Sequence, residues 1–429
     1  MKGNEMLKKL GRLSEITSMK DVRQLTTAMF PGTHCPLMGA AMAIRGIQDA
    51  YMLLVGTDEC AYYTKHMTLY SQDFGGVDGR CLSVVLDAQN VTFGCAAKVE
   101  EAFDELAREY HPKAVFLVTT CIPELIGDDM DAIADGLSQQ YDIPVMAVHT
   151  EHFKCDNHLP GLERTITACL DMMEPQEVDG SVNLLGQRMG RFDTTELCHV
   201  LKHAGVEIGM QLPCGCSVDE IRRGPRAKVN IVVNDIAMPL AKKMQRRFGT
   251  PWVFGMPYGY QATLDWLREI GTVLGREPEP HVISRLREKA MKAAMYQMYG
   301  RMLKQDKAGA VLVGEYHTLA GLGKFLSGMG IPVESSLCLH SLRCVKEPQE
   351  PICHPDTERE RMDILGNVHR KLILGDDISF RMCPKDNVFL RIALPVIRGA
   401  QTADHLPLMG EKGADFILET VEEYFQLVQ

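Results

Sequence analysis

The chain alternates short, continuous apolar runs with longer stretches in which apolar residues recur at every third or fourth position. Continuous apolar runs are typical of strands buried on both faces, and the longer spacing is typical of helices that lie on a sheet. In the first third of the chain this pattern predicts strands at 51–55, 82–86, 115–119 and 145–148, with helices at 96–110 and 128–140. Such alternation predicts an α/β fold with doubly wound parallel sheets.

The same alternation restarts twice, after a linker-like stretch at 175–180 and after a second break at 271–280. The middle part predicts strands at 182–185, 206–210, 229–233 and 252–255, with helices at 194–204, 239–248 and 261–274. The last part predicts a long helix at 282–304, strands at 310–314, 331–334, 371–374 and 388–393, and helices at 318–329 and 414–427.

These breaks predict three Rossmann-like, doubly wound parallel-sheet domains that follow an N-terminal arm. The predicted bounds are 1–30 for the arm, 31–176 for the first domain, 177–280 for the second, and 281–429 for a connecting helix with the third. No phosphate-binding Gly-x-x-x-x-Gly-Lys-Ser/Thr motif occurs, and the run at 321–324 lies inside a helical pattern. If the function needs ATP, we therefore expect another protein to bind it.

Charge and hydropathy narrow the class of protein. The 429 residues carry 46 Lys and Arg against 56 Asp and Glu, a net charge of -10, which argues against nucleic acid or an anionic membrane as the main partner. No apolar run approaches the roughly 18 residues of a membrane span, and the N-terminus lacks the apolar region of a signal peptide. We expect a cytoplasmic protein.

Cysteine usage points to metal chemistry. Fourteen cysteines are many for a protein of a reducing compartment, where disulfides are disfavoured. Cys35, Cys60 and Cys121 each lie beside Gly, Pro or Thr, where a strand would give way to a loop or helix. They could therefore converge at one edge of a sheet and bind an iron–sulfur cluster. On spacing alone, three buried core thiols explain the pattern equally well, because no two of them form a Cys-x-x-Cys pair.

The segments around these cysteines resemble the β-type subunit of nitrogenase component 1 and its relatives. The similar segments are 35–40 (Cys-Pro-Leu-Met-Gly-Ala), 56–63 around Cys60, and 119–129 (Thr-Thr-Cys-Ile-Pro-Glu-Leu-Ile-Gly-Asp-Asp). Weaker matches follow in order at 91–94, 248–251, 256–259 and 390–395. The resemblance therefore spans nearly the whole chain.

This resemblance implies a β-type subunit that pairs with an α-type subunit in an α2β2 heterotetramer, with a metal cluster at each α–β interface. It implies that Cys35, Cys60 and Cys121 bind a shared cluster, either an [8Fe-7S] P-cluster or a [4Fe-4S] cluster with a ligand left for the partner. Electrons would come from a separate ATP-hydrolysing [4Fe-4S] reductase protein and pass to a large iron–sulfur cofactor in the α-type subunit. Dinitrogen or, as in methylthio-alkane reductase, a methylthio-alkane would be the substrate.

The sequence departs from the family pattern at two places. In β-type subunits a serine in a His-Thr-Pro-Ser-Phe segment can bind the oxidised cluster, whereas residues 149–153 here read His-Thr-Glu-His-Phe. His152 therefore takes that position, where it could bind iron, donate a hydrogen bond or simply pack, and we favour no direct bond. The cysteine that holds the large cofactor in α-type subunits has no match at 234–239, which favours the electron-relay subunit.

Three other functions stay open: a cofactor-assembly scaffold with a [4Fe-4S] cluster, a dark-operative tetrapyrrole reductase, and a structural protein with inert thiols. The complete cysteine triple favours the reductase over the scaffold. Tyr62 and Tyr63 either line the cluster or pack in the core. A further set of cysteines could hold zinc or a second iron site but lacks standard spacing, so buried or surface thiols are the preferred interpretation: Cys214, Cys216, Cys338, Cys344 and Cys353.

Overall fold

The computed structural model describes residues 34–70, 79–155, 157–187, 196–302, 308–340, 352–355, 357–393 and 408–428, so the predicted arm at 1–30 and Cys344 lie outside it. The chain divides into two compact units. The larger unit takes in the described parts of 34–291 and 400–417, and the smaller one takes in those of 292–399 and 418–429.

The first sheet of the larger unit has four parallel strands in the order β3-β2-β4-β5. The strands of this part are β1 (Ile47–Gln48), β2 (Ala50–Gly56), β3 (Cys81–Val85), β4 (Ala114–Thr119) and β5 (Val145–Val148). The helices are α1 (Pro36–Arg45), α2 (Asp58–Tyr70), α3 (Ala88–Phe93), α4 (Ala96–Tyr110), α5 (Cys121–Ile126), α6 (Met130–Tyr141) and α7 (Leu159–Ala168), with short 3-10 helices at His152–Lys154 and Cys169–Met172.

Strand β2 shows why the strands of this sheet have continuous apolar sequences. Successive side chains of a strand point to opposite faces. Met52 and Leu54 belong to the core on one face, and Leu53 and Val55 belong to the core on the other. Because helices cover both faces, every position of the strand is buried or half-buried, and the sheet is doubly wound.

The second sheet of the larger unit is also parallel, in the order β10-β9-β6-β7. Its core is continuous with the first, because Leu185 and Val232 pack in the same buried cluster as Leu54. The strands are β6 (Val182–Gln187), β7 (Ile208–Pro213), β8 (Cys216–Ser217), which pairs with β1, β9 (Val229–Val232) and β10 (Trp252–Phe254). The helices are α8 (Glu196–His203), α9 (Val218–Arg222), α10 (Met238–Phe248) and α11 (Tyr260–Leu274), with 3-10 helices at Gly224–Arg226 and Asp235–Ala237.

The smaller unit is built on a third parallel sheet, in the order β13-β12-β11-β14-β15. Its strands are β11 (Ala310–Gly314), β12 (Val333–Cys338), β13 (Ile352–Cys353), β14 (Leu372–Gly375) and β15 (Val388–Arg391). Two helices, α12 (Pro280–Met302) and α16 (Gly410–Val428), have residues in both units, and this unit also contains α13 (Tyr316–Gly328), α14 (Glu358–Leu365) and α15 (Asp377–Met382).

The predicted α/β fold with parallel sheets is confirmed. The domain bounds at 176 and 280 stay a prediction. Helices α1, α2, α5 and α7 were not predicted from the pattern, and Cys35, Cys60 and Cys121 lie at or near the start of α1, α2 and α5. Within the described ranges, no helix combines the length and the apolar character that a membrane crossing requires.

Candidate metal centre

Two of the three predicted cysteines follow neighbouring strands of the first sheet. Cys60 is the third residue of α2, directly after β2, and Cys121 is the first residue of α5, directly after β4. The two strands pair in parallel, with Val55 opposite Thr119, so both cysteines reach the same carboxyl edge of the sheet. Ligands bind at this edge in open α/β sheets.

Cys35 comes to the site through helix packing. It is the N-cap of α1, which lies against α7. The two backbones approach so closely that a Cβ on Gly39 would overlap the carbonyl oxygen of His158, and a Cβ on Gly161 would overlap the carbonyl oxygen of Pro36. Glycine at both positions therefore fixes where α1 begins, and with it the place of Cys35.

The thiols of Cys35 and Cys121 lie near enough to Cys60 to influence its pKa. Burial raises the pKa of Cys60, the hydroxyl of Thr57 lowers it through a hydrogen bond, and the nearby thiols of Cys35 and Cys121 raise it further. All three cysteines are only half-buried. The structure thus brings together residues that lie 25 and 61 positions apart in the sequence (60 − 35 and 121 − 60).

Cys121 also receives a hydrogen bond from the segment after β5. The backbone N–H of His152 lies 3.3 Å from the Cys121 Sγ and donates to it. The residue itself is exposed. Of the roles considered for His152, a hydrogen bond to the cysteine sulfur is therefore present, but the backbone provides it and not the imidazole.

A hydrogen-bonded network lies beside Cys121, and the sequence reasoning did not assign it a role. The His149 Nδ1 lies 2.6 Å from the Glu124 Oε1, and its Nε2 lies 3.1 Å from the Asp131 Oδ2. The Thr119 hydroxyl donates to the same Glu124 oxygen. Burial alone would lower the pKa of His149, but the hydrogen bond and charge of Glu124, with Asp131, outweigh burial and raise it.

The donor set fits an iron–sulfur group. Among the described residues, no three His, Cys, Asp or Glu side chains converge as the ligands of one metal ion. In an iron–sulfur cluster, however, each thiolate binds a different iron, so the ligand sulfurs surround the cluster and do not meet at one point. The hydroxyl of Thr120, next to Cys121, is buried without a hydrogen-bond partner in the described structure, and it is a donor of the kind that cluster sulfur accepts.

The other cysteines lie in different surroundings. Cys169 and Cys216 are fully buried, and burial raises the pKa of the Cys214 thiol to about 12 and those of Cys169 and Cys216 far above the ordinary value. Cys338 is buried and Cys353 is exposed. The interpretation of these thiols as buried or surface cysteines stays a prediction, and Cys344 lies outside the described residues.

Large apolar side chains are exposed at the same edge of the sheet. Tyr62 and Tyr63 on α2 are 67% and 65% exposed, so they do not pack in the core. Phe93 follows β3, Leu125 follows Cys121, and Phe153 follows β5; all three are at least half exposed. We call these five residues the apolar rim. Exposed apolar patches of this kind mark surfaces that bind another protein.

Comparison with known proteins identifies the fold and the family. The family model of nitrogenase component 1 type oxidoreductases matches residues 35–425. The solved structure titled "Nitrogenase Cp1 at pH 6.5" superposes with a TM-score of 0.79, covering 94% of each chain at 16% identity, which shows a shared fold. The chain therefore belongs to the nitrogenase component 1 type oxidoreductase family.

Two kinds of curated relative are similar to this chain. The nitrogenase iron-molybdenum cofactor biosynthesis protein NifE of Clostridium pasteurianum is 29% identical over 297 residues, which cover 68% of this chain and 65% of that protein. A subunit of the light-independent protochlorophyllide reductase of Synechococcus elongatus is 24% identical over 372 residues, 80% of this chain and 73% of that protein. The chain thus spans a little under two thirds of the NifE relative.

Proposed function

We propose that this chain is the β-type subunit of a cytoplasmic nitrogenase-like reductase, in which it holds part of an iron–sulfur cluster shared with an α-type subunit. One observation carries the proposal: Cys60 lies within electrostatic range of both Cys35 and Cys121, at the carboxyl edge of a parallel sheet. A thiol triple of this kind supplies three ligands of a cluster that needs more, which supports a second chain that completes it.

The apolar rim supports a partner at this edge. Five large apolar side chains are exposed on the four segments that follow β2, β3, β4 and β5. Burial of such side chains stabilises an association by roughly 25 cal/mol for each Å² of apolar surface removed from water. The same burial would exclude water from the cluster. We therefore propose that the α-type subunit covers this edge and that two such pairs form an α2β2 heterotetramer.

The residues of this chain would hold and tune the cluster. Cys35, Cys60 and Cys121 would bind iron as thiolates, and the His152 amide would donate a hydrogen bond to the Cys121 sulfur, as it does in the structure. The bound cluster supplies one-electron transfer at low potential. We propose that the electrons come from an ATP-hydrolysing [4Fe-4S] reductase protein and leave to a large iron–sulfur cofactor in the α-type subunit, which reduces dinitrogen or a methylthio-alkane.

A second candidate function is a cofactor-assembly scaffold, and the similarity to NifE favours it. A scaffold would hold a [4Fe-4S] cluster and pass on a product without turning over a small substrate. The similarity to the protochlorophyllide reductase subunit favours a third candidate, a reductase that acts on a tetrapyrrole. All three functions share the cysteine site and differ in the cluster and in what lies next to it.

Counting iron and acid-labile sulfide in the anaerobically purified complex, with the α-type partner co-expressed, separates these candidates. About eight irons per interface supports an [8Fe-7S] cluster and the reductase, whereas about four supports the scaffold or the tetrapyrrole reductase. A complex without iron would contradict all three. Reduction of the complex by the ATP-dependent donor, measured with each substrate class, then distinguishes turnover from assembly.

A further inference from the structure

Two contacts join the helix of Cys121 to the segment after β5. Cys121 and Glu124 lie three residues apart on α5 and therefore on the same helix face. His149 and His152 are also three residues apart on the facing segment. His152 donates its amide to the Cys121 Sγ at 3.3 Å, and His149 contacts Glu124 at 2.6 Å. The Glu124–His149 pair thus lies one helical turn away from the sulfur contact.

The rest of the structure anchors the segment from the other side. The Arg164 Nη1 on α7 donates to the His149 carbonyl at 2.6 Å and to the Glu151 Oε2 at 2.8 Å. The Thr150 hydroxyl donates to the Thr119 carbonyl at the end of β4, at 2.5 Å. These contacts hold the segment to α7 and β4, while the Glu124–His149 pair ties it to the helix that carries the cysteine.

Partial burial strengthens the interaction between Glu124 and His149. The Glu124 side chain is 12% exposed, whereas that of Asp131, the other carboxylate on His149, is 73% exposed. Partly buried pairs are screened much less than exposed ones, which contribute little. Glu124 is therefore the partner that fixes the position of His149, and Asp131 offers a matched control.

We propose that Glu124 and His149 are positioning residues that hold the His152 amide on the Cys121 sulfur and so set the reduction potential of the cluster at this site. This proposal rests on the proposed function. A hydrogen bond to a ligand sulfur stabilises the reduced, more negative state of an iron–sulfur cluster. Loss of the bond should therefore make the potential more negative, with the three cysteine ligands still present.

Five variants of the full chain in its complex test this proposal. Glu124→Ala and His149→Ala remove the pair, and Glu124→Gln keeps an oxygen that can accept from His149. Asp131→Asn alters only the exposed contact. His152→Pro deletes the donor itself; proline suits the first position of a short helix, and the ψ of 115° at Glu151 suits a residue before proline.

The first measurement is hydrogen exchange of the peptide that contains His152. Loss of a hydrogen bond worth about 1 to 1.5 kcal/mol should speed exchange of this amide roughly tenfold in Glu124→Ala and His149→Ala. Glu124→Gln should restore most of the protection, and Asp131→Asn should keep it. Wild-type exchange in both alanine variants would overturn the proposal, whatever the iron content.

The second measurement is the midpoint potential of the cluster, followed by electron paramagnetic resonance in a redox titration. We expect a shift to more negative potential in Glu124→Ala and His149→Ala, in the same direction as in His152→Pro, and none in Asp131→Asn. Unchanged potentials in the alanine variants would overturn the tuning role. If Glu124→Ala does not fold, His149→Asn, whose shorter side chain does not reach Glu124, decides with the same expected changes.

The two measurements separate this proposal from the proposed function. A wild-type complex without iron would overturn the proposed function and the effect on potential together. Hydrogen exchange would still decide whether Glu124 and His149 hold the amide, because that contact involves residues of this chain alone.

Discussion

Two groups of cysteines in this chain differ in depth of burial, and this difference favours different roles for them. Cys60 and Cys121 are half-buried at the ends of neighbouring strands, where the other thiols influence the pKa of Cys60 and an amide N–H donates to Cys121. Cys169, Cys214 and Cys216 lie in the core, where burial raises the pKa of each thiol far above its ordinary value. Metal ligation needs a thiolate. Depth of burial therefore favours ligation by the first group and a packing role for the second.

The largest expected effect is a difference in alkylation between the two groups. Burial raises the pKa of Cys214 to about 12 and covers its sulfur, so that both thiolate formation and access of a reagent are suppressed there. In the folded chain without its cluster, iodoacetamide should modify Cys121 at least ~100-fold faster than Cys214. Peptide mass spectrometry over time measures both rates in one sample. Equal rates would contradict the proposed difference between the half-buried and the core cysteines.

The second-largest expected effect is the loss of stability in a variant that displaces Cys35. Alanine at Gly161 would overlap the carbonyl oxygen of Pro36, so Gly161→Ala should lower the free energy of unfolding by about 2 to 3 kcal/mol. It should also lower the iron retained by the complex. Gly136→Ala on α6 is the matched control, because its Cβ would meet nothing within 4 Å and it should stabilise by about 0.5 to 1 kcal/mol. Urea unfolding measures both variants, and equal stability losses would contradict the close approach of α1 and α7.

Burial should raise the pKa of a buried carboxylate, as it does for the thiols in the core. Glu196 is 2% exposed, and burial raises its pKa to about 7, although the Lys412 amide donates to it at 2.9 Å. The folded protein holds this proton more tightly than the unfolded chain does. Its contribution to stability is thus complete below about pH 4.5 and is lost as the pH rises through 7.

The expected size of this contribution is about 3 kcal/mol between pH 4.5 and 8. Glu196→Gln should remove this part of the pH dependence, as measured by urea unfolding at several pH values. If the stability of the variant depended on pH as that of the wild type does, burial would not be what raises the pKa of Glu196.

The smallest effect is expected at the His152 side chain. Because the backbone N–H contacts Cys121 and the residue is exposed, His152→Ala should leave the iron content and the midpoint potential of the complex within experimental error of the wild type. Iron analysis and a redox titration measure both. A loss of iron in this variant would show that the imidazole binds the cluster.

The strands of the first sheet could be predicted closely, because their signal is local and strong, whereas the strand predicted at 331–334 is Val333–Cys338 in the structure. Residues 115–119 were predicted as a strand and the structure has Ala114–Thr119, since a strand buried on both faces reads as an unbroken apolar run. Helix α2 was missed, because Tyr62 and Tyr63 are exposed where an amphipathic pattern would place polar residues. The surface that breaks the pattern is the one we assign to a partner.

The site could be predicted in part. The cysteines were found because the short segments around them resemble those of a known family, and the side chains of such segments are enough to identify the family. The hydrogen bond from His152 could not be predicted, because its donor is a backbone N–H, which every residue except proline has. The Glu124–His149 pair was also missed, although both residues lie in segments compared with that family, because 25 residues separate them (149 − 124) and only the pairing of β4 with β5 brings them together.

The central claim is that the half-buried cysteines hold a cluster shared with a partner chain. Its most direct test is the iron content of the co-purified complex with Cys60→Ala, compared with Cys353→Ala, which changes an exposed cysteine on β13 of the third sheet. We predict that Cys60→Ala loses most of the interface iron while the chain keeps its circular dichroism spectrum, and that Cys353→Ala retains wild-type iron. Full iron and sulfide in Cys60→Ala would contradict the account.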